Sequence, residues 1–127
     1  MTFKSLFYFI KGEEIMKKTK MLKKNYEFRK VLSKGKYFSG KYVEAFILEN
    51  GNNENFLGIA INTKIGKAVE RNRIKRLFRE AYNSLENNIK YGQIIVIMWK
   101  KRQSTENATY INIKDDLKKI FDKAKIL

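Results

Sequence analysis

The sequence contains no cysteine and no histidine. Those two absences together remove disulfides, thiolate nucleophiles, imidazole bases and the common zinc-binding sets. Missing cysteines also fit a reducing compartment, so a cytoplasmic location is expected. Acidic residues are scarce, 13 against 28 lysines and arginines, which leaves a formal charge of +15. A compact chain with that charge repels itself unless it meets a polyanion, and nucleic acid is therefore the leading partner class. No obvious carboxylate cluster stands in the sequence, which makes the chain a poor nuclease by itself. Long apolar runs are missing too. Phe3 to Ile10 resembles a leader, but it is too short to span a bilayer and is followed by Lys11, Glu13 and Glu14 rather than a small-residue cleavage site. Neither export nor a membrane partner is expected. At 127 residues, 43% of them apolar, the chain can bury one modest core, with no room for separate substrate and cofactor domains.

Residues 1–15 read differently from the rest, with a Phe/Leu/Tyr cluster, Gly12 and two glutamates ahead of Met16. Met16 is the expected true start, a genuine flexible tail over 1–15 being the alternative, and 16–127 reads as a single domain. Asn25 suits an N-cap, and Phe28, Val31 and Leu32 fall at helical spacing before Gly35, which predicts a short amphipathic helix over 26–34. Tyr42 to Leu48 and Phe56 to Asn62 read as strands joined by a turn at Gly51, Asn52 and Asn53, which predicts a hairpin, with a short strand from Lys36 to Ser39 before it. From Gly66 to about Asn88 the chain is helical, with Ile74, Leu77, Phe78, Ala81 and Leu85 on one side. Gln93 to Trp99 is an apolar strand, and Ile113, Leu117, Ile120, Phe121 and Ala124 mark a last helix over 111–126. The order α-β-β-β-α-β-α predicts an α+β two-layer sandwich with a mixed sheet of about four strands. Trp99 and Tyr82 are assigned to packing.

The stretch Lys64 to Tyr82 carries seven cations against two acids. On a helical wheel Asn72, Lys75, Arg76 and Arg79 share one arc opposite Ile74, Leu77 and Ala81, with Arg71 and Arg73 on its two flanks. Arginine grips phosphate oxygens with two parallel hydrogen bonds, which lysine cannot do. Asn72 both donates and accepts, so it can serve a phosphate, a 2′-hydroxyl or a base edge. A solvated charged face is the plainer alternative.

The run Lys-x-Gly-x-Ala-Val-x-Arg-Asn-Arg-x-Lys-Arg-x-x-Arg-Glu, from Lys64 to Glu80, resembles the signature of the bacterial ribonuclease P protein family. Leu22-Lys23-Lys24 with Glu27-Phe28 and Lys34-Gly35 resembles that family's opening helix. Leu57-Gly58-Ile59 and Ile94 to Ile97 resemble the strands before and after the motif. The resemblance covers roughly residues 20 to 124. It implies that a catalytic RNA subunit hydrolyses the phosphodiester with bound Mg2+, while the protein binds that RNA and precursor tRNA. No catalytic residue, metal ligand or small-molecule substrate is expected of this chain.

The resemblance assigns RNA-subunit contact to Arg71, Asn72, Arg73, Lys75, Arg76 and Arg79, with Lys64 and Lys67 beside them. It also implies a cleft between the first helix and the sheet for the single-stranded 5′ leader of the precursor, a site where bases lie on aromatic rings. Phe28 and Phe46 match the aromatics of that cleft, and Leu32, Tyr42 and Lys24 complete the candidate set. Strand alternation places Tyr42, Glu44 and Phe46 on one face. Phe28 and Phe46 read equally well as ordinary core residues. Leu32 departs from the family, where an aromatic is common, and Asn62-Thr63 stands where Ser-Lys often does, while Glu44 is a further oddity, an acid in a leader groove. The resemblance further implies a left-handed β-α-β crossover, against the usual right-handed rule.

Two other clusters are basic. Lys17, Lys18, Lys20, Lys23 and Lys24 form an arm able to touch RNA backbone or remain a solvated tail, and Lys100-Lys101-Arg102 reads mainly as a solvated loop. Three rival functions remain open: a general RNA-binding protein, a DNA-binding protein and a membrane-surface protein.

Overall fold

The computed structural model describes residues 19–127. The tail over 1–15, the proposed start at Met16, and Lys17 and Lys18 of the basic arm lie outside them. The strands are β1 (Thr19–Met21), β2 (Lys36–Ser39), β3 (Val43–Glu49), β4 (Asn55–Ala60) and β5 (Gln93–Trp99). The helices are α1 (Asn25–Lys34), α2 (Ala68–Leu85) and α3 (Tyr110–Lys123), with 3-10 turns at Glu86–Asn88 and Thr105–Asn107. The class is the expected α+β, with a five-stranded sheet instead of four. The additional strand is β1, three residues inside the run read as a basic arm.

Helix starts differ in detail from the sequence reading. Asn25 is the first helical residue of α1, and Lys24 is the cap, its backbone N–H donating to the Glu27 carboxylate at 3.1 Å. In α2 the same device recurs, with the Lys67 N–H donating to Glu70 at 3.0 Å. A carboxylate at the third helical position thus satisfies a donor that the helix itself leaves unpaired and meets the positive end of the helix dipole.

The sheet order is β1-β4-β5-β3-β2. This corrects the predicted hairpin: β3 and β4 do not pair, because β5 lies between them, antiparallel to β3 and parallel to β4. Ile95, Val96 and Ile97 are fully buried, as befits a central strand covered on both faces. The chain after β3 opens far enough to admit β5, with the Asn50 N–H donating to the Gly92 carbonyl at 2.9 Å. The true hairpin is β2 with β3, in which Tyr37 stands opposite Phe46 and Ser39 opposite Glu44.

One face of the sheet carries the main core. Val43, Ala45, Ile47, Leu57, Ile95 and Ile97 meet Ile74, Phe78, Ala81 and Leu85 of α2 and Ile113, Leu117, Ile120 and Phe121 of α3. Each fully buried Val, Leu, Ile or Phe among them contributes about 1.5–3 kcal/mol relative to exposure. Tyr82 and Trp99 join this core, as expected. Asp116 is buried on the same stripe of α3, and its carboxylate accepts from the backbone N–H groups of Lys41, Tyr42 and Val43 at 3.1, 2.6 and 2.9 Å. That acid fastens the β2–β3 turn to α3.

The opposite face is only partly covered. There α1 lies against β3 and β5, with Val31 buried among Leu22, Val96 and Phe28. Close approach depends on Gly58, since a Cβ there would stand 2.6 Å from Phe28 Cε1. Beyond α1 the sheet face is half-exposed, with Glu44, Phe46 and Met98 partly buried.

Candidate nucleic-acid interface

Helix α2 turns its apolar stripe to the core, so its polar arc faces outward. Asn72 and Arg76 are exposed, while Lys75 and Arg79 are half-buried. Arg76 keeps 62% of its side chain exposed, and its Nε lies 4.0 Å from Glu80, too long to hold the guanidinium firmly. Lys64 stands exposed in the loop before the helix and Lys67 at its cap.

Arg71 and Arg73 behave differently from the rest. Arg71 Nη1 donates to the carbonyls of Thr63, Ile65 and Gly66 at 3.0, 3.2 and 2.8 Å. Arg73 donates through Nη1 to Ala108 at 2.6 Å and through Nη2 to Thr105 at 2.8 Å. Both guanidiniums therefore hold the loops on either side of the helix start, leaving Asn72 outward between them. Gly66 allows this turn, having φ of +52°, and an added Cβ would also press on the Glu70 carboxylate. Glu70 accepts from the Thr105 hydroxyl as well as from Lys67. These bonds, the Thr105 one foremost, hold its carboxyl below the ordinary range. The Lys64 to Arg73 motif thus builds its own rigid platform.

The reverse face of the sheet supplies a second surface. Phe46 is half-buried, with Tyr37 on one side and Val96 on the other. The Tyr37 and Phe46 rings lie 5.2 Å apart, tilted by 53°. Glu44 and Met98 form the adjoining row. The Tyr37 hydroxyl donates to Glu44 Oε2 at 2.6 Å, a bond that raises the phenol above its ordinary range. Phe28, seated on Gly58, borders this surface from α1, and Leu32 of the same helix is 38% exposed. Phe28 and Phe46 are thus partly core and partly open.

Two candidates fall elsewhere. Tyr42 precedes β3, so strand alternation does not reach it, and its ring stacks on Trp99 with centroids 6.0 Å apart. It packs against the main core, away from Phe46. Lys24 caps α1 with its ammonium 5.7 Å over the Tyr26 ring, and Tyr26 lines a different cleft with Lys30, Phe56 and Ile94. Tyr37 escaped the sequence reading, though pairing Lys36 to Ser39 with the following strand would have put it opposite Phe46. Among the described residues no group of three or more acidic side chains could hold a metal ion, and no helix is long and apolar enough to cross a membrane.

A cationic helix on one side of the sheet and an aromatic face on the other define an α+β protein with the charge distribution of nucleic-acid-binding proteins. The family model for Ribonuclease P matches residues 16–125. The chain is 39% identical over 110 residues to the ribonuclease P protein component of Clostridioides difficile, covering 86% of this chain and 95% of that one. It is 35% identical over 106 residues to the component of Natranaerobius thermophilus, covering 84% and 90%. Among solved structures, the Staphylococcus aureus RNase P protein superposes with a TM-score of 0.73 at 26% identity, covering 84% of this chain and 95% of the other. The Thermotoga maritima RNase P protein gives 0.73 at 25% identity, covering 82% and 96%. The chain belongs to the family of ribonuclease P protein components.

Proposed function

We propose that this chain is the protein subunit of a ribonuclease P holoenzyme in the cytoplasm, where it binds the catalytic RNA and the 5′ leader of precursor tRNA and so promotes leader removal. The hydrolysis, and the Mg2+ it needs, belong to the RNA. Among the described residues no three carboxylates stand together as metal ligands would, and with neither histidine nor cysteine the chain has no imidazole base and no thiolate nucleophile. Its contribution is to hold two RNAs in register.

The separation of two unlike surfaces carries this reading. The arc of Asn72, Lys75, Arg76 and Arg79 suits duplex backbone, where guanidinium forks bind phosphate. The Phe46 face suits a single strand, whose bases can lie on rings. A recognition helix for DNA normally follows a partner helix across a short turn, whereas α2 follows β4 and a loop. Membrane-surface binding would need the apolar face of α2, and Ile74, Phe78 and Ala81 are fully buried.

Affinity separates this reading from general RNA binding. Filter binding at fixed moderate salt is expected to give tighter association with bacterial ribonuclease P RNA than with an unrelated structured RNA of equal length. Arg76→Ala is expected to weaken the former by roughly 1–3 kcal/mol, as loss of charge-assisted hydrogen bonds would. Equal affinity for both RNAs would favour a general RNA-binding protein.

A further inference from the structure

Glu44 is out of place on a surface meant for a polyanion. It projects from the same face of β3 as Phe46, and among the described residues no lysine or arginine lies within ion-pair range of it. Instead its carboxylate is held by a neutral donor, the Tyr37 hydroxyl at 2.6 Å. That bond fixes the orientation of the acid while leaving its negative charge intact. The ring that supplies it is in turn braced against Phe46, with centroids 5.2 Å apart. A carboxylate accepts and never donates, and it repels phosphate. A positioned carboxylate beside stacking rings is therefore suited to the donor edge of a base.

The four bases differ sharply at that edge. Guanine presents N1–H and the N2 amino group side by side, matching the two oxygens of a carboxylate. Adenine and cytosine each place an acceptor nitrogen next to their amino group, and uracil flanks its N–H with two carbonyls. The single bond from Tyr37 leaves about three of the four carboxylate lone-pair sites available. Guanine alone makes two bonds without bringing an acceptor against the acid.

We propose that Glu44, braced by Tyr37, forms a base-edge subsite that takes guanine in the single strand lying on the Phe46 face. The inference rests on the reading of that face as the leader site and adds its base preference. A good bidentate pair discriminates by about tenfold or more.

The test uses holoenzyme reconstituted with a ribonuclease P RNA and precursor tRNAs whose leaders are all uridine except for one guanosine, moved one position at a time. One position is expected at which guanosine binds about tenfold tighter than uridine, with inosine, which lacks the amino group, in between. Glu44→Gln and Tyr37→Phe are each expected to abolish that preference, and both positions are exposed enough for the fold to survive. Precursors that bind tighter than mature tRNA yet show no guanosine position, or a preference that survives Glu44→Gln, would overturn the subsite alone. Precursors that bind no tighter than mature tRNA would overturn the leader reading and the subsite with it.

Discussion

Arg73 of α2 donates to the carbonyl of Ala108 at 2.6 Å, joining the start of the basic helix to the turn that leads into α3. Its second bond, to Thr105 at 2.8 Å, makes the guanidinium a two-point clamp on that loop. Arg76, one turn further along the helix, makes no such clamp, and its Nε approaches Glu80 only at the long distance of 4.0 Å. Two arginines of one motif therefore do different work.

Urea denaturation separates them. Arg73→Ala is expected to lower stability by roughly 1–3 kcal/mol, because two carbonyls lose charged donors. Arg76→Ala, being a surface change away from such features, is expected to stay within about 0.5 kcal/mol of the parent. A loss for Arg73→Ala as small as that for Arg76→Ala would contradict the clamp.

Glu70 ties the same turn from the other side, and its depressed pKa fixes a pH dependence. A carboxyl whose folded pKa lies below its unfolded value stabilises the fold above the unfolded pKa. That contribution disappears as pH falls through the folded pKa. Thr105→Val removes the foremost cause of the depression. The Glu70 pKa, followed by carboxyl NMR titration, is expected to rise toward the ordinary range in that variant. An unmoved titration would contradict the Thr105 bond.

The Phe46 ring offers a cleaner probe of the sheet face than Phe28, which also fills the space over Gly58. Phe46→Leu keeps an apolar side chain against Val96 but removes the flat ring. Holoenzyme carrying it is expected to bind precursor tRNA more weakly by about 1–3 kcal/mol, the value of one base stack. Affinity for mature tRNA is expected to be unchanged. Equal losses for both RNAs would assign Phe46 to packing.

Much of this was readable from residue order, for identifiable reasons. Ile74, Phe78, Ala81 and Leu85 repeat at the helical period, and all four are buried, so α2 and its outward arc follow from periodicity alone. The same periodicity marked α3 but passed over Asp116, a polar residue on the buried stripe whose partners are backbone groups over seventy residues away. The continuous apolar run from Gln93 to Trp99 marks a strand, but it carries no information on neighbours. That is why β3 and β4 read as a hairpin when β5 separates them. The wheel put Arg71 and Arg73 on the flanks of the cationic arc. Flank positions border the packed side of a helix, which is where both found carbonyls. Tyr42 lies one residue before the start of β3, where strand alternation no longer dictates its side.

The most direct measurement is cleavage of a precursor tRNA by bacterial ribonuclease P RNA at low magnesium, with and without this protein, beside a protein-only control. Correct 5′ cleavage is expected to be restored by the protein and to be absent when the protein acts alone. Binding to the RNA without restored cleavage, or cleavage by the protein alone, would contradict a subunit that positions RNA while the RNA does the chemistry.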